Sequence, residues 1–318
     1  MTHLKHALTT LWKSDPRLTG VGIFMLGLLA ASAIGLLVDP RTITGAPAWL
    51  KPVKFAASIA ILTLTLAWVF TYLPEWTRTH RAVSWITSVT LVVEIAIIDT
   101  QAWRGTTSHF NASTPLDGAL FSIMGAAIVV QTLSTIAVAV ALWRQRFADR
   151  AMGWALRLGM VITIVGASSG GFMVAPTGAQ LAEARSGKQM TVAGAHTVGA
   201  PDGGPGLPGT GWSRAHGDLR VAHFLGLHGL QMLPMLALVF ARRGWHEARR
   251  VRIVWAMSAS YVVLFGLLLW QALRGQSVAA PDSTTFVALG TWALLTAAAI
   301  RLSAVRSVHF AAVRSVRL

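Results

Sequence analysis

The sequence contains no cysteine. Disulfides, thiolate metal sites, iron–sulfur clusters and covalently attached c-type haem are therefore excluded, and stability has to come from packing. Charge is scarce too. Charged residues make up 12% of the 318-residue chain, against about 25% in a typical soluble domain. Hydrophobic residues make up 54%, so lipid is the solvent that suits this chain. There is no Walker loop, zincin motif, nucleophile elbow or EF-hand. Gly204, Gly206 and Gly209 match the G-x-G-x-x-G spacing. No strand is predicted before them and two prolines sit among them, so the dinucleotide reading fails on context.

What is present is a series of apolar runs. Eight are long enough to cross a bilayer, at residues 18–38, 53–73, 82–103, 117–143, 152–175, 219–240, 253–273 and 284–300. The first is too long for the core of a cleaved signal peptide, which is about 7–15 residues. The 13 tryptophans suit interfacial belts. The predicted fold class is all-α, a polytopic helical bundle of about eight spans. It forms a single transmembrane domain over residues 1–318, with a Gly/Pro-rich extracytoplasmic loop at 176–217.

The net charge is +15. In a soluble chain that would point to nucleic acid. Here the basic residues alternate with the spans. Seventeen Lys and Arg lie in the N-terminal segment, the even-numbered loops and the tail, against five in the first, third and seventh loops. The positive-inside rule then places both termini in the cytoplasm. The charge is a topology signal, the partner is a lipid bilayer, and no nucleic-acid partner is expected. The expected location is the cytoplasmic membrane.

Ionisable residues inside apolar spans are expensive and mark candidate sites. The third span carries Glu94, Asp99 and Gln101. Glu94 and Gln101 are seven apart and share a helical face, with Asp99 about 140° round from Glu94. The loop after it holds Arg104, His109, Asn111 and Asp117, the last placed to cap the fourth span. Residues 211–234 stand out most, because a polar entry runs into an apolar helix bearing Arg220, His223, His228 and Gln231. On a regular helix these four fall within about 140° and face the bundle interior, toward Glu94 and Gln101. The two histidines are at i, i+5, poorer than i, i+4 for gripping one ion. Ser168 to Phe172, SSGGF, is a candidate broken-helix point. His3, His6, His80, His246 and His309 lie in basic segments and are expected at the surface.

Three functions fit. The first is a membrane oxidoreductase with haem b or a His-bound transition metal. His223, His228 and His109 would be its ligands, and Glu94, Asp99, Gln101 and Gln231 its proton-handling and catalytic groups. Arg104, Arg220 and Lys54 would neutralise propionates or a small anionic ligand at the outer face. The second is a proton-coupled small-molecule or ion transporter using Glu94, Asp99 and His223. The third is a non-catalytic membrane sensor or partner subunit.

Overall fold

The computed structural model describes residues 2–315, and side chains from residue 5 to residue 303. His3, His309, Arg306, Arg314 and Arg317 therefore lie outside the described side chains. The described chain is helical, in the order α1 (Thr2–Ser14), α2 (Pro16–Val38), α3 (Leu50–Phe70), α4 (Thr77–Arg104), α5 (Pro115–Arg144), α6 (Arg150–Ser169), α7 (Gly171–Val174), α8 (Gly178–Arg185), α9 (Leu219–Leu227), α10 (Gly229–Arg242), α11 (Glu247–Leu273) and α12 (Ser283–Ser315). Among the described residues, seven helices are long and apolar enough to cross a membrane, and eight if the bent pair α9–α10 is one span. The protein is an all-α polytopic membrane bundle.

Helix ends follow local chemistry. The Asp15 carboxylate accepts from the Arg17 and Leu18 amides, and Pro16 opens α2 at a position whose N–H would have no partner. Asp149 and Asp218 cap α6 and α9 in the same way. Gly105 ends α4 with φ 73, a left-handed conformation that glycine adopts without penalty.

The chain forms two compact units. Unit 1 comprises residues 1–141 and 171–214. Its core lies where α2, α3 and α4 meet, with Met25, Ala56, Ile59, Ala60, Leu91 and Ile95 packed together. Unit 2 comprises residues 142–170 and 215–318. There α6 packs against α9 and α10 through glycine. A Cβ on Gly159 would lie 2.8 Å from the Gly229 carbonyl oxygen, and one on Gly166 would overlap the Gly226 backbone. Lipid gives apolar side chains no reason to associate, so close backbone approach of this kind carries much of the helix association.

Three expectations need correction. The sixth span is not one regular helix. It breaks at His228, where α9 and α10 diverge by 46°. The i, i+5 argument for its two histidines assumed a straight cylinder and does not apply across the break. The backbone groups freed there are satisfied by side chains. The Thr163 hydroxyl lies 3.3 Å from the Leu227 carbonyl and accepts from the Leu230 amide at 3.0 Å, and the Tyr261 hydroxyl donates to the Leu225 carbonyl at 2.6 Å. Bent spans are tolerated in membranes when hydroxyls take up the released groups. The loop at 176–217 is also more built than its Gly/Pro content suggests. It holds α8, opened by a capping box of Thr177 and Gln180, and its 191–194 segment pairs with the loop after α4. At SSGGF the helix passes from α6 to α7 through Gly170, whose backbone is itself helical, and Arg150–Arg185 counts as one span, so no sharp break is found there.

Candidate functional site

α4 has 28 residues and so spans about 42 Å, more than the bilayer core of about 30 Å. Glu94 lies about 15 Å from its C-terminal end. The loop after α4 folds back alongside it and returns His109 to that depth. Two features shape the loop. Phe110 takes a left-handed φ of 63, and the 191–194 segment zips onto it through Ala112 N–H to Thr191 O and Ala193 N–H to Phe110 O. Left-handed backbone is costly for a residue with a side chain, and such strain concentrates at functional sites. Phe110 is held there by packing, being 4% exposed.

Three ionisable groups meet as a result. The Lys51 Nζ, in the first turn of α3, is 2.9 Å from His109 Nδ1. His109 Nε2 is 3.5 Å from Glu94 Oε1. Phe55, Phe110 and Phe121 surround the imidazole, with ring centroids 5.7 to 6.5 Å away. A Lys51 ammonium donating to Nδ1 fixes the neutral tautomer that carries its proton on Nε2, facing Glu94. Glu94 is 2% exposed, and its Oε2 has no hydrogen-bond partner. A carboxylate at such depth costs about 2.5–3.5 kcal/mol, and a buried unsatisfied acceptor about 1–3 kcal/mol more. One long contact from an imidazole does not offset that, so packing gives no account of why a glutamate stands here.

The other predicted residues of unit 1 divide. Gln101 and Arg104 bind a second acid, Asp117. The Gln101 amide donates to Asp117 Oδ1 at 2.8 Å and Arg104 at 2.6 Å, while Thr114 caps the same residue. The cap of α5 is therefore Thr114 and not Asp117 as expected, and Asp117 lies in the first turn, where it pairs with Arg104 and accepts from the Thr114 hydroxyl. Asp99 points away from the Glu94 face, with its buried Oδ1 unpartnered. Lys54 donates to the Thr210 carbonyl at 2.7 Å.

In unit 2, Arg220 pairs with Asp218 at 2.6 Å, beside the cap of α9. His223 Nδ1 lies 2.7 Å from the Gly166 carbonyl, in reach because the two helices touch at glycine. His228 sits at the break itself, and Gln231 follows in the first turn of α10. Asp218, Gln271 and Gln276 line a narrow surface cleft with no enclosed volume comparable to ligand pockets of about 300–1,000 Å³. His223, His228 and Gln231 belong to unit 2, and Glu94, Gln101 and His109 to unit 1. Among the described residues no three His, Asp or Glu side chains are grouped so as to hold a metal ion.

Several pairs escaped the sequence. His80 is not simply a surface residue. Its Nε2 is 2.8 Å from the Oδ2 of Asp15, which is 1% exposed, and its ring stacks on Phe70 at 4.1 Å. Burial opposes the charge on Asp15, but the His80 hydrogen bond and the Leu18 amide outweigh it and hold the carboxyl below its usual range. In the 191–214 loop, His196 Nδ1 is 2.6 Å from Asp202 Oδ2 and its ring lies 4.8 Å from that of Phe110. Burial likewise opposes ionisation of Asp202, and His196 together with two backbone amides overcomes it. The signal that was readable was an aspartate just before Pro16, a cap by its position. The 65-residue separation of Asp15 and His80 hid their pairing.

Compared with known protein families, curated proteins and solved structures, the chain matches none.

Proposed function

We propose that the protein is a proton-coupled transporter of a small solute or ion in the cytoplasmic membrane. Its outer proton relay runs from Lys51 through His109 to Glu94. One observation carries this reading: a glutamate at mid-depth, 2% exposed, with one oxygen 3.5 Å from an imidazole and the other unpartnered. Intramembrane ionisable groups retained at such cost are the usual mark of proton paths. The Lys51 ammonium gives a proton to His109 Nδ1 as the Nε2 proton passes to Glu94, so no imidazolate forms. A hydronium at the outer face reprotonates Lys51, and a ring flip returns the His109 N–H to the Glu94 side.

The test is infrared spectroscopy and flux on the full chain in liposomes. Wild type should show a protonated-carboxyl band that titrates with pH and vanishes in Glu94→Gln. An imposed proton gradient should drive uptake from a panel of small acids and cations, and Glu94→Gln should abolish the coupling. A band unchanged by the substitution, with no gradient-driven flux of any solute tested, would sink the reading.

A second reading, a haem b or metal-dependent oxidoreductase, rests on His223. Donation from Nδ1–H to a backbone carbonyl, as to Gly166 here, is how ligating histidines are oriented, leaving Nε2 as the coordinating nitrogen. A visible spectrum and metal analysis of the purified protein decide it. A Soret band or stoichiometric metal lost in His223→Ala favours redox chemistry, and a colourless, metal-free and active protein rules it out.

A further inference from the structure

The Glu94 relay touches only one side of the membrane, while the face of α4 that bears Glu94 continues toward the other. Taking Glu94 as zero at about 100° per residue, Thr90 falls at about −40°, Thr87 at about +20° and Gln101 at about −20°. All four are buried, Thr87 and Gln101 completely. In a helix surrounded by lipid and apolar neighbours, this is a polar line and not a scatter. Its polar atoms are also incompletely satisfied. Thr87 Oγ1 and Glu94 Oε2 have no partner, and neither has the Nε2 of Gln131 on α5, whose Oε1 lies 3.1 Å from the Thr90 hydroxyl. Gln131 is 6% exposed. These groups, from two helices and spread along the α4 axis, each leave a buried hydrogen-bonding position open, and an internal water satisfies two to four such positions. Below Thr87, the Ser84 hydroxyl is buried with no hydrogen-bond partner, and further on Asp15 is bonded to His80.

We propose that this face of α4 binds a chain of waters that carries protons between the Asp15–His80 pair and Glu94, so that Glu94 has access to both sides of the membrane. The proposal deepens the transporter reading and rests on it. The rises are short enough. Thr87 stands about 4.5 Å from Ser84 along the axis, Thr90 about 4.5 Å further, and Glu94 about 6 Å beyond that. Each gap is one or two waters long. Protons pass by exchange of O–H bonds along the chain, so no group has to cross the bilayer. Lys51 from α3 and His109 from the loop are the titratable groups facing Glu94, and both serve the opposite end of the path.

Sided proton delivery tests this. Protons are released by photolysis either inside or outside oriented proteoliposomes, and the Glu94 carboxyl band is followed by time-resolved infrared. In wild type, Glu94 should respond to release on either side. Thr87→Val removes a hydroxyl at nearly constant volume. It should slow the response from the Asp15 side by about tenfold or more, the effect of losing one hydrogen-bonded step, and leave the Lys51 side unchanged. Thr87→Ser should restore the wild-type rate. Gln131→Leu interrupts the same gap from α5 and serves if Thr87→Val does not fold. Equal rates from both sides in both interrupting variants overturn the path. A wild-type response from the Lys51 side alone overturns it too, with the relay left standing. A response from neither side overturns relay and path together.

Discussion

Replacing Gly166 by alanine should weaken this protein, although alanine is the better helix former. At Gly166 a new Cβ would stand 2.6 Å from both Gly226 Cα and Leu227 N and closer still to the Gly226 carbonyl carbon. Ordinary carbon contacts begin near 3.5 Å, so α6 and α9 must part by about 1 Å. All three obstacles are backbone, and no side chain can swing aside. Overpacking of this kind costs about 1–3 kcal/mol, more than the gain of about 1 kcal/mol from replacing a helical glycine. Gly266, on α11 in the same unit, is the control. Nothing lies within 4 Å of its missing Cβ, so Gly266→Ala should stabilise by about that propensity term. The assay is the fraction remaining monodisperse on size exclusion after stepwise heating in detergent. The two alanines should move the midpoint in opposite directions. Equal midpoints, or a gain in Gly166→Ala, would refute the glycine contact. In Gly166→Ala the His223 bond to the Gly166 carbonyl should also loosen, visible as a changed imidazole signal.

Three other outcomes follow from the geometry. Asp15→Ala removes a helix cap and a charge-assisted bond, and should cost about 1–3 kcal/mol at neutral pH by the same heating assay. Because the Asp15 carboxyl is held below its usual range, its contribution is whole above the ordinary value of about 4. It fades as pH falls through the lowered one, so the gap between variant and wild type should close in acid. Phe110→Gly should be more stable than Phe110→Ala by about 1 kcal/mol, since both lose the ring but only glycine relieves the left-handed backbone. Reporters fused after Arg146 and after Lys188 should lie on opposite sides of the membrane, and finding them on one side would remove the span count.

The span pattern was legible because its cause is local. A run of about 20 apolar residues needs no partner to be recognised, and the alternation of Arg and Lys needs only counting. Glu94 was legible for the same reason, as a charge where charge is costly. What escaped was the meeting of distant residues. Lys51 and His109 are 58 residues apart, and their contact depends on a loop folding back past Phe110. His80 sat in a basic segment and looked solvated, while Asp15 waited 65 residues upstream. The break at His228 was hidden although Gly226 and Gly229 flank it, because glycine in a span is common and the side chains that hold the opened backbone, Thr163 and Tyr261, are on other helices.

That bend also fixes a direction. Thr163 holds one backbone group from each half of the span, the Leu227 carbonyl and the Leu230 amide. Straightening α9–α10 would return the Leu227 carbonyl to the Gln231 amide and the Leu230 amide to the Gly226 carbonyl, and strand the Thr163 hydroxyl, and with it the Tyr261 hydroxyl, in a dry interior. The corner is therefore a braced joint and not a loose hinge. His223 before it and Gln231 after it are set at a constant angle, and any movement at this place has to carry α6 and α11 along.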